Sequence, residues 1–172
     1  MYQYISDLYN YILEYVYSDS DKTTQKQNIK LDNPNSFYYL SLFNTTGDIS
    51  NTNFTIHGLW PQFNQTTYPT YCKTITFNVD ELKPIIDDLN KYWYSSQEKN
   101  SDFWEHEYKK HGTCMFDQMN ELQYFQKALD LYYQATSLQL PIKYYNPDTH
   151  LCLIPVSLDF KFIQSSDVNI IV

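Results

Sequence analysis

The chain has 172 residues, which is enough for one domain with its own hydrophobic core. Its net charge of −8 and pI near 4.8 argue against a protein that coats nucleic acid nonspecifically, because such proteins are basic. An enzyme that holds a few phosphates in a local basic pocket is not excluded. The chain contains no arginine, so phosphate contacts would come from lysine, histidine, hydroxyl and backbone N–H groups.

Residues 2–17 carry apolar side chains at helical spacing, which predicts an amphipathic helix: Ile5, Leu8, Tyr9, Ile12, Leu13 and Val16. Its acidic polar face favours packing over binding to a membrane surface. We do not expect this segment to be a signal peptide, because no basic residue precedes it and Asp7 and Glu14 interrupt the apolar run. Residues 18–35 are polar and predict a linker.

The rest of the chain predicts, in order, a strand over Phe37–Phe43, a buried strand that ends in a turn over Phe54–Pro61, a loop over Gln62–Cys72, helices over Asp80–Tyr94 and Asn120–Leu138, and one or two strands over Leu151–Ile163. His57 is expected where the chain leaves the second strand for a turn. Asp80 is expected to cap the first of these helices, with Pro84 tolerated in its first turn.

A stretch rich in charges and aromatics, Phe103–Cys114, is the most informative part of the chain. Read as a helix, it places Glu107 and His111 one turn apart, with Lys110 beside both. His106 falls one turn before Lys110. An acid, a base and a cation thus share one face, as proton transfer beside a charged transition state requires.

Three simpler interpretations compete with this one. A solvated charged helix is disfavoured because Phe103, Trp104 and Tyr108 interleave with the charges. A zinc helix is disfavoured because histidines five residues apart point about 140° away from each other on a helix of ~3.6 residues per turn. A packed structural histidine could describe either His106 or His111 alone, but hardly the group.

Two segments together resemble the active-site signatures of the ribonuclease T2 family. They read Phe54-Thr-Ile-His-Gly-Leu-Trp-Pro61 and Phe103-Trp-Glu-His-Glu-Tyr-Lys-Lys-His-Gly-Thr-Cys114, and they match at essentially every defining position, in the family's order. The resemblance covers roughly 37–163. The Gln-Trp-Pro and cysteine that commonly end the family's first strand are missing, and the segment between Leu138 and His150 is short.

The resemblance implies an α+β fold with a central antiparallel sheet and flanking helices, shortened near the C-terminus. We expect a single domain over 1–172, with an N-terminal helix and linker over 1–35 outside the family match.

The reaction implied is cleavage of single-stranded RNA through a 2′,3′-cyclic phosphate. Histidine suits both proton transfers, since its unperturbed pKa of ~6.5 lets one ring be neutral while another is charged. By resemblance, His111 is the base and His57 the acid, and Lys110 and His106 stabilise the transition state. Glu107 orients His111 and raises its basicity. No metal or cofactor is expected, and DNA, which lacks the 2′-hydroxyl, should be refractory.

The resemblance also implies a base-binding site. Trp60 and Tyr68 match the family's base-binding aromatics, although either could instead pack in the core. Gln62 follows the first signature, and its amide both donates and accepts, so we expect a tolerant contact with the base edge and broad specificity.

Cys72 and Cys114 match the family's central disulfide, which leaves Cys152 without a partner. Sequons at Asn44, Asn53 and Asn64 suit a secreted chain. By resemblance, we expect a secreted or endolysosomal monomer that binds single-stranded RNA and neither DNA nor a membrane.

Two alternatives stay open at this point. One is a catalytically silent member of the same fold that binds RNA or a partner. The other is a metal hydrolase built on the histidines, which sensitivity to a chelator would reveal.

Overall fold

The computed structural model describes residues 35–46 and 53–163. Its elements are β1 (Phe37–Asn44), β2 (Phe54–Gln62), a 3₁₀-helix (Val79–Ile85), α1 (Ile86–Tyr92), α2 (Asn100–Lys110), a 3₁₀ turn (Gly112–Cys114), α3 (Glu121–Ser137), α4 (Leu140–Lys143), β3 (Tyr145–Asn146) and β4 (Leu151–Val156). The helix predicted over 2–17, and the predicted linker up to residue 34, lie outside the described residues. Within the described ranges, no helix has both the length and the apolar character needed to cross a membrane.

The four strands form one antiparallel sheet in the order β2-β1-β4-β3, which confirms the predicted α+β fold. β1 is central, and its alternate residues Tyr38, Leu40 and Leu42 are buried in the core. Of the one or two strands predicted over Leu151–Ile163, the structure forms one. β4 ends at Val156, which then makes a single bridge to Phe162.

α3 packs against the sheet and is hydrogen-bonded to it through tyrosine hydroxyls. The Asn120 side chain accepts from the backbone N–H of Gln123, and the Gln123 side chain accepts from the backbone N–H of Asn120. This capping box fixes the start of the helix. Further along, the hydroxyl of Tyr124 donates to the carbonyl of Leu59 (3.1 Å), and that of Tyr132 donates to the carbonyl of Phe54 (2.9 Å). Both bonds hold β2, the strand that carries His57.

The helix predicted over Asp80–Tyr94 is divided, and its cap was predicted wrongly. The chain first forms a 3₁₀-helix, and the cap is Asn78, whose side chain accepts from the N–H of Asp80 (3.2 Å). Pro84 has no N–H to donate to the preceding turn, which favours the tighter winding before α1 begins at Ile86.

The Cys72–Cys114 disulfide is present, with a Cα–Cα distance of 5.1 Å, as the resemblance implied. It joins the loop that follows β2 to the 3₁₀ turn after α2. Cys152 is a buried free thiol on β4, and burial raises its pKa to about 12. The disulfide therefore ties the loop after the first signature to the last residue of the second.

Candidate active site

His57 is the extra residue of a β-bulge. Ser41 pairs with Gly58, but the next residue of β1, Leu42, pairs with Ile56, so His57 has no partner across the ladder. The prediction that His57 lies where the chain leaves its strand was wrong, because β2 continues to Gln62. A bulge bends the strand and redirects a side chain, which accounts for a half-buried imidazole on a strand whose neighbours face the core.

α2 supplies the charged half of the site from a well-anchored helix. Its inner face includes Phe103 and Trp104, and the indole N–H of Trp104 donates to the carbonyl of Trp93 (2.7 Å). On the same helix Glu107 and Lys110 are only 3 % and 4 % exposed. This burial excludes the solvated charged helix that competed in the sequence.

The carboxylate of Glu107 joins α2 to β2. Its Oε2 accepts a hydrogen bond from the indole Nε1 of Trp60 (2.9 Å), and its Oε1 lies 3.9 Å from Nε2 of His57. Gly58 makes room for this contact, since a Cβ there would lie 2.3 Å from Glu107 Oε2 and 2.2 Å from Trp60 Nε1. We call Glu107, Trp60, His57, Gly58 and the neighbouring His111 the inner wall of the site.

His111 immediately follows α2 and closes the inner wall from the other side. Its ring stacks on Trp60, with 5.2 Å between ring centroids and 29° between planes, while the ring of His57 meets the same indole edge-on at 5.1 Å. Trp60 therefore lies between the two imidazoles that the family resemblance assigns to proton transfer.

The contact between Glu107 and His111 runs through the backbone, where the N–H of His111 donates to the carbonyl of Glu107 (2.9 Å). The Nδ1 atom of His111 is buried and has no hydrogen-bond partner among the described residues. The carboxylate of Glu107 is directed at Trp60 and His57, so its orienting effect on His111 stays a prediction.

The site disfavours positive charge on its histidines. Burial, followed by the charge of Lys110, lowers the pKa of His57 and that of His106 to about 4. The same two causes lower the pKa of His111 well below its ordinary value. The three imidazoles are therefore neutral near pH 7, and a bound anion would favour their charged forms.

Glu107 and Lys110 titrate against each other. Burial raises the pKa of Glu107, opposed by the hydrogen bond from Trp60 and by the charge of Lys110. Burial lowers the pKa of Lys110, and the charge of Glu107 opposes that change. A buried amine of this kind can respond strongly to a phosphate placed beside it.

The residues predicted to bind the base differ in how far they are buried. Trp60 belongs to the inner wall. Gln62 is the last residue of β2 and is 5 % exposed, so it was wrong to assign it to the loop. Tyr68 is exposed on the loop that leads to Cys72. Contacts of these three side chains with a base stay a prediction.

Tyr71 is a site neighbour that sequence reasoning missed. Its ring meets that of half-buried His106 edge-on, with 6.4 Å between centroids, and its backbone N–H donates to the carbonyl of Lys110 (2.9 Å). It lies outside both signatures, and only its position beside Cys72 could have suggested that it reaches the site.

Within the described residues, no group of three or more His, Cys, Asp or Glu side chains is arranged to hold a metal ion. The site consists of three imidazoles, one carboxylate, one amine and the aromatic rings of Trp60 and Tyr71. These groups can move protons and can stabilise an anion.

The family model of the ribonuclease T2 family matches residues 18–148, three quarters of the chain. The chain belongs to this family. The match begins and ends earlier than the resemblance inferred from the sequence, which covers roughly 37–163.

Individual T2 relatives agree with this assignment. The chain is 35% identical to ribonuclease DdI of Dictyostelium discoideum over 108 residues, which is 63% of the chain and 40% of that protein. It is 37% identical to extracellular ribonuclease LE of Solanum lycopersicum over 101 residues, 56% of the chain and 44% of that protein. It thus spans less than half of these curated relatives.

The fold also resembles that of a solved relative. A mutant of RNase MC1, a ribonuclease from bitter gourd seeds, was crystallised in complex with 5′-UMP. It superposes with a TM-score of 0.57 at 22% identity, over 72% of this chain and 89% of that one. At this identity the likeness concerns the fold.

Proposed function

We propose that the protein is an endoribonuclease that cleaves single-stranded RNA by transphosphorylation and leaves a 2′,3′-cyclic phosphate. The observation that carries the proposal is the inner wall, where imidazoles from a β2 bulge and from the end of α2 flank one indole beside a buried carboxylate and amine. This set supplies a base, an acid and a cation within one small volume.

In the proposed reaction His111 takes the proton of the 2′-hydroxyl. The 2′-oxygen then forms a bond to phosphorus, and the bond from phosphorus to the 5′-oxygen breaks. His57 gives its proton to the departing 5′-oxygen. His111 suits the base because its lowered pKa keeps the ring neutral. His57 needs a proton, and the negative charge of a bound phosphate favours the protonated ring.

Lys110 and His106 stabilise the negative charge that builds on the phosphate oxygens in the transition state. Lys110 is held for this by burial at the end of α2, close to both histidines that move protons. Glu107 positions His57 through its charge. It also accepts the hydrogen bond from the indole of Trp60 and so fixes the ring on which His111 stacks.

The proposed substrate is RNA and not DNA, because the internal nucleophile is the 2′-hydroxyl. The ribonuclease names of the relatives and the nucleotide complex of the RNase MC1 mutant support a nucleotide ligand. No cofactor is part of the proposed mechanism.

We further propose that the protein matures in an oxidising compartment as a secreted or endolysosomal monomer. The disulfide and the relative named as extracellular support this. Of the three sequons, Asn53 is exposed, whereas Asn44 is fully buried and its side-chain oxygen accepts from Thr46. Glycan mapping should therefore find Asn53 occupied in preference to Asn44.

The test is incubation of the purified protein with single-stranded RNA in EDTA, followed by analysis of the ends produced. We expect 2′,3′-cyclic or 3′-phosphate ends, and no cleavage of a DNA strand of the same sequence. A His111→Ala variant serves as the control for contaminating nuclease. Ends that carry a 5′-phosphate, or cleavage that EDTA abolishes, would contradict the mechanism.

A further inference from the structure

Tyr71 is exposed in a way that core packing does not explain. Its side chain is 56% exposed, although most large aromatic residues of the described chain are buried or half-buried. It belongs to neither signature, and the proposed chemistry gives it no task.

The backbone holds Tyr71 firmly. Its φ of 50° lies in the left-handed region, which a non-glycine residue adopts only where the surroundings impose it. Its N–H is bonded to the carbonyl of Lys110 (2.9 Å), and the next residue, Cys72, is crosslinked to Cys114. The ring is therefore displayed from a rigid segment that is anchored to the end of α2.

The ring faces the site. It meets the imidazole of His106 edge-on at 6.4 Å. Partial burial, followed by the charge of Glu107, raises its pKa, so the phenol is neutral and lies within electrostatic reach of the inner wall. An exposed aromatic face thus stands beside the groups proposed to hold the scissile phosphate.

We propose that Tyr71 is a substrate-binding residue on which a nucleobase of the RNA stacks, on the His106 side of the scissile phosphate. The proposal rests on the proposed function. A chain of net charge −8 without arginine gains less from backbone attraction than a basic nuclease would. Stacking supplies affinity that does not depend on charge and accepts every base, and a fixed ring loses little freedom when it binds.

Binding to a short, fully 2′-O-methylated oligonucleotide tests this without cleavage. Tyr71→Asn removes the ring while keeping a residue that tolerates the left-handed backbone, and Tyr71→Phe keeps the ring without the hydroxyl. Tyr94→Asn is the matched control, because Tyr94 is also exposed, at 38%, and follows α1, away from the contacts of the site. Each protein is titrated with oligonucleotides that carry one abasic residue at successive positions.

We expect Tyr71→Asn to weaken binding by about 5- to 30-fold, near the lower end of typical stacking effects, and Tyr71→Phe and Tyr94→Asn by less than about twofold. An abasic residue at one position should weaken binding to the wild type by a similar factor. The same abasic residue should leave the affinity of Tyr71→Asn almost unchanged, since this variant has already lost the stacking ring. In cleavage assays the change should appear in KM, with the pH profile of kcat preserved.

Equal affinity of wild type and Tyr71→Asn would overturn the proposal, as would additive losses at every abasic position. A shifted pH profile with unchanged KM would also overturn it, because Tyr71 would then act through His106. If the wild type binds RNA but does not cleave it, the proposed function fails, whereas the binding titrations still decide the role of Tyr71.

Discussion

The inner wall of the site differs in construction from its rim, by which we mean the exposed rings of Tyr68 and Tyr71. In the inner wall, buried groups contact one another directly, and a glycine is needed for two of them to meet. At the rim, Tyr71 and Tyr68 are exposed on a loop that is fixed by a disulfide and a backbone hydrogen bond. The difference suits two tasks. Proton transfer in the inner wall needs fixed distances between groups, whereas stacking at the rim tolerates any base.

The largest effect should come from the two imidazoles of the inner wall. We expect His57→Ala and His111→Ala each to lower kcat on RNA by ~10²- to 10⁴-fold, which is the typical contribution of general acid–base catalysis. His106→Ala should cost less, since it places charge without moving a proton. Steady-state rates on one RNA substrate check the order, and a His111→Ala enzyme with near-normal turnover would contradict the assignment.

Adding one methyl group at Gly58 should lower kcat almost as much as removing one of the two imidazoles. In Gly58→Ala the new Cβ collides with the bond between Trp60 and Glu107, and a displacement of this kind can cost about 10²-fold in kcat. Ser41→Ala is the matched control, because Ser41 pairs with Gly58 across the bulge and its buried hydroxyl has no hydrogen-bond partner among the described residues. Similar kcat values for the two variants would mean that the wall is loosely built.

The inner wall should also make folding depend on pH. The pKa of His57 is about 4 in the folded protein and ~6.5 when unfolded, so the unfolded state binds more protons between these values and stability is lost as the pH falls. From pH 7 to 4.5 this loss is about 2–3 kcal/mol for His57. Glu107 acts in the opposite direction, because its pKa is raised in the folded protein. Its contribution to stability is lost as the pH rises above the pKa that Glu107 has in the unfolded chain.

Urea denaturation at the two pH values measures this loss. His57→Gln should show a smaller drop in the free energy of unfolding than the wild type, with Tyr94→Asn as a control that keeps the full drop. Equal drops in wild type and His57→Gln would show that the imidazole is not held neutral by the fold.

The smallest effect concerns the identity of the base. If stacking dominates at the rim, rates on the four RNA homopolymers should differ by much less than a hundredfold, because every base presents a π-face. A preference of a hundredfold or more for one base would show that an edge contact, for example with Gln62, is held rigidly. Tyr71→Asn should lower the rates on all four polymers by similar factors.

The sequence predicted the candidate site because its residues fall in two continuous signatures. Helical spacing also placed Glu107, Lys110 and His111 together, and the structure keeps them within one turn at the end of α2. The segments around Phe37 and Asn120 followed the predicted pattern equally well, since each has a periodic apolar face.

The remaining features depend on contacts between distant segments. The bulge at His57 is a property of the pairing between β1 and β2, which the period of one strand does not reveal. The bond from Trp60 to Glu107 joins two elements, so the sequence indicated the indole only as a base-binding or core ring. Tyr71 reaches His106 through the disulfide and a left-handed turn, neither of which has a periodic signal.

The most direct test of the central claim is the rescue of one histidine variant by a better leaving group. A nucleoside 3′-(4-nitrophenyl phosphate) releases a phenolate that needs no proton, so the acid becomes dispensable while the base does not. We expect His57→Ala to approach wild-type kcat on this substrate, and His111→Ala to remain strongly impaired. Equal impairment of both variants, or rescue of His111→Ala alone, would contradict the assigned roles.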